Sequence, residues 1–174
     1  MTILIKNIKK LIQIRDIEIK NVSGEEMKIL PSIEDAFLLI ENEKIKDFGK
    51  MQDCTYTNME EVYDAKGCMV LPSWCDSHTH IVYAGDRSGE FMDRIKGLTY
   101  QEIAEKGGGI LNSAKLLSIT SVEEIYNQSI KRVNDVIKQG TGAIEIKTGY
   151  GLNYDSELKM LEVIQEIRKN TKLQ

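Results

Sequence analysis

Histidine is nearly absent from this 174-residue chain, with only His78 and His80, and cysteine is scarce, at positions 54, 68 and 75. Three cysteines with no CxxC pair exclude a disulfide framework and a cysteine zinc knot, and leave reduced, packed thiols as the expectation. Long apolar runs are also missing. Stretches such as Ala36 to Ile40 are strand-sized, far too short for a bilayer. Near the start, Lys6, Lys9 and Lys10 interrupt the continuous apolar segment that a secretory signal needs, so the chain reads as cytoplasmic. No basic stripe interleaved with aromatics is present, and the formal net charge is −4, which argues against nucleic acid and leaves a small anionic or neutral metabolite as a partner. The Gly107, Gly108, Gly109 triplet lacks both the Lys-Ser/Thr ending of a P-loop and GxGxxG spacing, so it reads as a flexible loop. No internal repeat is visible.

What is present is an ordinary globular composition, 41% apolar, enough for one good core or two small ones. From Thr2 to Leu71 short strand-like runs follow one another: ILIKNI, LIQI, AFLLIEN and KIKDFG. Glu41 to Lys44 turns the last two into a hairpin. After Pro72, strand-like runs alternate with stretches of helical periodicity, the pattern of β/α units on a parallel sheet. The expected boundary lies near residues 66–71, dividing an all-β portion, 1–68, from a β/α portion, 69–174.

Thr120 and Glu123 form a capping-box pair ahead of an apolar face made of Val122, Ile125, Tyr126, Val133, Val136 and Ile137, which ends at Gly140. Gly142 to Lys147 reads as a strand, with Gly149 to Gly151 as the loop leaving it. A second helix opens at Asp155 or Ser156, carries Leu158, Leu161, Ile164 and Ile167 on one face, and closes with Arg168 and Lys169. Thr99 to Ser118 is expected to hold one short helix on each side of the glycine triplet.

The densest chemical signal is VLPSWCDSHTH, residues 70–80. Residues two apart on a strand share a face, so His78 and His80 can reach one ion at about 2.0–2.1 Å. Taken alone, HxH reads more readily as two polar residues at a strand end. The leading VLP, Asp76 and the β/α pattern that follows shift the balance, because together they resemble the first barrel strand of the amidohydrolase superfamily. Within it, AGDRSGEFMDRIKGLTYQEIAEKGGGI at 84–110, EIKTGYGL at 145–152 and SELKMLEVI at 156–164 resemble the imidazolonepropionases. The likeness covers nearly the whole chain and is weakest before residue 60. Ser73, Trp74 and Cys75 depart from the glycine and aliphatic residues usual after LP, and Thr148 stands where serine is common; no ligand is lost.

The resemblance implies an α/β fold: a partial TIM-type (β/α) barrel, its first two or three β/α units, preceded by a small all-β sandwich-like domain. It implies one divalent or trivalent metal ion, zinc or iron, on His78 and His80, and hydrolysis of the cyclic amide of 4-imidazolone-5-propanoate to N-formimino-L-glutamate. Arg87 would hold the propionate, since a guanidinium fork suits a carboxylate; without the resemblance it reads as a surface arginine paired to Asp86 or Glu90. Tyr150, between two glycines, would touch substrate, or else lie on the surface. Tyr100 either approaches the same carboxylate or leads into a helix. Glu145 and Lys147 share a strand face and read as an ion pair, and Asp76 as an acceptor for nearby amides. Imidazolonepropionases run to more than twice this length. The resemblance therefore places the remaining ligands, a histidine and an aspartate, together with a substrate-binding histidine and the general acid/base glutamate, outside these residues. This amino-terminal part alone is expected to be inactive, and the full-length enzyme a homodimer. Other readings are a different cyclic amidohydrolase or deaminase, or a non-catalytic fragment or split-enzyme subunit.

Overall fold

The computed structural model describes residues 1–16 and 18–174. Contacts divide the chain into two units, Met1–Pro72 and Ser73–Gln174. In the first, β1 (Thr2–Ile12), β2 (Ser32–Glu41), β3 (Lys44–Lys50), β4 (Glu61–Asp64) and β5 (Met69–Val70) form one sheet, ordered β3-β2-β1-β4, with β5 also paired to β1. β1–β2 and β2–β3 are antiparallel, whereas β4 and β5 run parallel to β1. The β2–β3 hairpin turns at Asn42 and Glu43, both with positive φ (50° and 64°), the geometry a two-residue turn needs to match strand twist.

The apolar run of β2 buries Ala36, Phe37, Leu38 and Leu39 consecutively, so both sheet faces are covered there. Phe37 and Leu39 pack with Leu4, while Ala36 and Leu38 pack with Ile8 and Leu11. Leu4 and Ile8 would share a face on a regular strand. A register shift between Ile5 and Ile8, where Asn7 takes φ 55°, sends them to opposite clusters. LIQI is not a separate strand: Leu11 and Ile12 end β1, and Gln13 (φ 68°) and Ile14 then donate to Pro31 O.

The second unit is built on β6 (Trp74–Thr79) and β7 (Thr141–Ile146), which pair in parallel. Between them run α1 (Ser88–Ile95), α2 (Tyr100–Glu105), α3 (Ile110–Ile119) and α4 (Val122–Lys138); α5 (Tyr154–Asn170) follows β7. The unit is therefore mixed α/β with two strand-to-helix passages. Its core joins Ile81, Val82 and Ala84 to Leu117 of α3, Ile125 and Val133 of α4, and Met160, Val163 and Ile167 of α5. No helix among the described residues is long and apolar enough to cross a membrane.

Several local expectations shift. The cap of α4 is Ser121, whose Oγ accepts from Glu124 N at 3.2 Å, because the Thr120 hydroxyl is already donating to Leu116 O to close α3. Asn153, not Asp155 or Ser156, caps α5, its Oδ1 accepting from Ser156 N. α5 buries Met160, Val163 and Ile167, leaving Leu158 and Leu161 exposed. Apolar residues surround that helix, so its periodicity alone admits two stripes. The short helices flanking the glycine triplet are present as α2 and α3, while α1 lies in a stretch to which the sequence assigned no element.

Candidate active site

His78 lies on β6 and His80 immediately after it. Two bonds lock this end of the strand against β7: Thr79 Oγ1 donates to Glu145 O at 2.8 Å, and Lys147 N donates to Thr79 O at 2.8 Å. Thr79 is thus turned towards β7, and its two neighbours project together. Their Nε2 atoms are 3.4 Å apart, with ring centroids at 5.3 Å. Two ligands bound at about 2.0–2.1 Å in tetrahedral geometry are separated by about 3.3–3.4 Å, so the spacing suits a shared ion. Nδ1 of His80 is buried and unpaired among the described residues. Among these residues no group of three or more His, Cys, Asp or Glu side chains is placed to hold a metal. Asp76 Oδ1 accepts from His78 N at 3.3 Å, a backbone role.

Tyr150 packs on His80, ring centroids 5.2 Å apart, and on Tyr83 at 6.5 Å. Its loop is clasped by Glu157, a residue the sequence reading passed over. The carboxylate accepts from the amides of Gly149 (2.8 Å), Gly151 (2.7 Å) and Leu152 (3.1 Å). Partial burial pushes this carboxyl up, but the Thr148 hydroxyl and the three amides outweigh it and hold it below the usual glutamate value. Glycine is required at 151, where a β-carbon would stand 2.7 Å from Glu157 N and 2.8 Å from the Ser156 carbonyl carbon.

Arg87 occupies the N-cap position of α1. It is paired with Glu90, its Nε donating to Oε2 at 2.8 Å and its Nη2 to the same oxygen. That bond, then the Glu90 charge and the phenol oxygens of Tyr100 and Tyr150, raise the guanidinium above the usual arginine value against the effect of burial. The partner weighed from sequence is therefore real, and Asp86 is not it: Asp86 accepts from the Ser88 amide and hydroxyl, which hold its carboxyl below the usual aspartate value.

A cavity of about 280 Å³ is lined by Tyr83, Ala84, Asp86, Arg87, Ser113, Leu117 and Tyr150. It joins Arg87 to Tyr150, and Tyr150 joins the cavity to His80. Tyr100 does not line it. This tyrosine opens α2 behind Thr99, whose hydroxyl and backbone amide form a reciprocal box with Glu102, and its ring is largely exposed. Glu145 and Lys147 form the expected ion pair at 2.5 Å, about half exposed; Lys147, and more weakly His78, lower the Glu145 carboxyl.

Arg132 was also missed. From α4 its Nη1 donates to Ile81 O (2.9 Å) and Tyr83 O (3.1 Å), and the guanidinium carbon sits 3.6 Å from the Tyr83 ring centroid. It braces the segment joining His80 to Arg87. Only its position beside the buried stripe of Ile125, Ser129 and Val133 hinted at it.

No family model matches the sequence. Curated relatives do match: an imidazolonepropionase of Flavobacterium psychrophilum is 60% identical over 170 residues, 98% of this chain. One of Christiangramia forsetii is 59% identical over the same span. Over nearly its whole length the chain is similar to imidazolonepropionases. It covers 41% of the length of each of these two imidazolonepropionases. Among solved structures, Escherichia coli guanine deaminase superposes with a TM-score of 0.64 at 16% identity, over 97% of this chain and 34% of that one. At that identity the likeness concerns the fold alone.

Proposed function

We propose that this chain supplies the metal-binding strand and the carboxylate-binding loop of an imidazolonepropionase, within a partial (β/α) barrel preceded by a β-sandwich portion. The reaction is addition of water across the ring amide of 4-imidazolone-5-propanoate, giving N-formimino-L-glutamate. The observation that carries this reading is the continuity from His78 and His80, through the ring of Tyr150, to a cavity that Arg87 also lines.

His78 and His80 would hold one zinc or iron ion through Nε2. When bound, such an ion supplies a water acidified towards neutral pH. Arg87 would anchor the propionate at the far end of the cavity, with Tyr100 beside it, so the ring is held at a set distance from the histidines. Tyr150 would close the site between the two, its ring excluding water on the His80 side. The general acid/base and the other ligands come from outside this chain in this reading, and the chain alone is inactive.

The test joins this segment to the remaining three fifths of the Flavobacterium psychrophilum relative. Loss of 4-imidazolone-5-propanoate is then followed for the chain alone, the fusion, and the fusion carrying His80→Ala or Arg87→Ala. The unsubstituted fusion is expected to turn over substrate, the chain alone and the His80→Ala fusion to be inactive, and the Arg87→Ala fusion to lose turnover at low substrate through a raised KM. Unchanged turnover in Arg87→Ala would remove the substrate assignment.

A further inference from the structure

Arginine has two hydrogen-bonding edges, and at Arg87 the fold occupies one. The side edge, Nε and Nη2, donates to a single oxygen of Glu90, Oε2. The other oxygen, Oε1, accepts from Gly109 N at 2.9 Å, so Glu90 is tied at both ends. Its side chain is 16% exposed against 51% for Arg87, which makes Glu90 the anchored partner and Arg87 the held one. The end edge, Nη1 with the second hydrogen of Nη2, meets no protein acceptor among the described residues, and Arg87 borders the cavity.

We propose that Glu90 is a positioning residue: it grips the side edge of Arg87 so that the end edge stands ready to fork a planar carboxylate. This rests on the reading of Arg87 as the carboxylate site. A free arginine must give up rotamer freedom when it binds, whereas here that ordering has been done by the fold. The glycine triplet gains a role as well, because the Gly109 amide steadies the carboxylate that steadies Arg87. Since Arg87 and Glu90 together carry no net charge, the site selects its ligand by the shape of the free edge, favouring a singly charged planar carboxylate over a compact dianion.

The experiment is nitrogen-15 NMR of the arginine side chains of this 174-residue chain during titration with propionate. In the unsubstituted chain, propionate is expected to shift the Arg87 Nη signals while the Nε–H signal keeps its downfield, exchange-protected position. Glu90→Gln should lose that Nε–H signature and bind propionate about tenfold more weakly, the loss of one charge-assisted hydrogen bond. Glu90→Asp should recover part of both, which a role confined to folding would not produce. Displacement of the Nε–H bond by propionate in the unsubstituted chain would make Glu90 a competitor and overturn the proposal, as would equal or tighter binding by Glu90→Gln. Those outcomes stand apart from failure of the underlying reading, in which propionate leaves every Arg87 signal unmoved while the Nε–H signature persists, and the positioning role falls with it.

Discussion

The guanidinium carbon of Arg132 lies over the ring of Tyr83, 3.6 Å from its centroid, while Nη1 reaches the carbonyls of Ile81 and Tyr83. The side chain is half-buried and has no carboxylate partner in hydrogen-bond range among the described residues, so backbone carbonyls, the Ser129 hydroxyl and the ring face satisfy it.

Arg132→Ala is therefore expected to destabilise the second unit by about 2–3 kcal/mol, combining charged hydrogen bonds with the cation–π contact. Arg132→Lys should recover less than half, since a point ammonium cannot fork to two carbonyls and stack at once. Trp74 is the sole tryptophan and lies in this unit, so urea unfolding followed by its fluorescence reads the change. A lysine variant as stable as the unsubstituted chain would show that packing, not the fork, matters.

Because the folded-state carboxyl of Glu157 is held below its unfolded value, its contribution is complete above the unfolded glutamate pKa and declines as pH falls through the folded one. Glu157→Gln should cost about 1–2 kcal/mol at neutral pH, and the gap from the unsubstituted chain should narrow in acid below about pH 4. Thermal unfolding at a series of pH values measures this; a gap independent of pH contradicts the clasp being ionic.

At Gly151 a methyl group would meet Glu157 N, the Ser156 carbonyl carbon and the Ser156 Cβ, all part of or rooted on the helix backbone. Gly151→Ala should cost about 1–3 kcal/mol through overpacking and should part Tyr150 from His80. The expected sign is loss of the nuclear Overhauser contacts between those two rings.

For the histidine pair, zinc or cobalt titration of this chain should show an affinity that falls at least about tenfold in His78→Ala or His80→Ala, with little further loss in the double variant, because either ligand alone grips poorly. Additive losses in the double variant would mean that the two imidazoles act on separate ions.

Much of the second unit was legible because periodicity and punctuation are local. The β/α alternation, the helices on either side of the glycine triplet and the strand before GYG need only neighbours in sequence to be read. Cap positions slipped by one or more residues where two adjacent residues could each serve, as with Thr120 and Ser121. The stripe of α5 was misread because apolar residues ring the helix, and only the surrounding core chooses between faces. LIQI was misread for a related reason: a bulge at Asn7 lets one long strand carry both apolar runs, and a bulge leaves little trace in composition.

What the sequence by itself determined was the pairing of His78 with His80, since a spacing of two puts side chains on one face wherever the strand is packed. It also carried the family likeness, which resides in contiguous motifs. The tertiary structure alone decided that Glu90 takes the side edge of Arg87, that Glu157 reaches back to the amides around Tyr150, and that Arg132 braces the loop between His80 and Arg87. The last of these joins residues about fifty positions apart. Hydrogen-bond partners at such separations depend on how helices dock onto strands, a choice made by the packing of the whole core and not by any short stretch of chain.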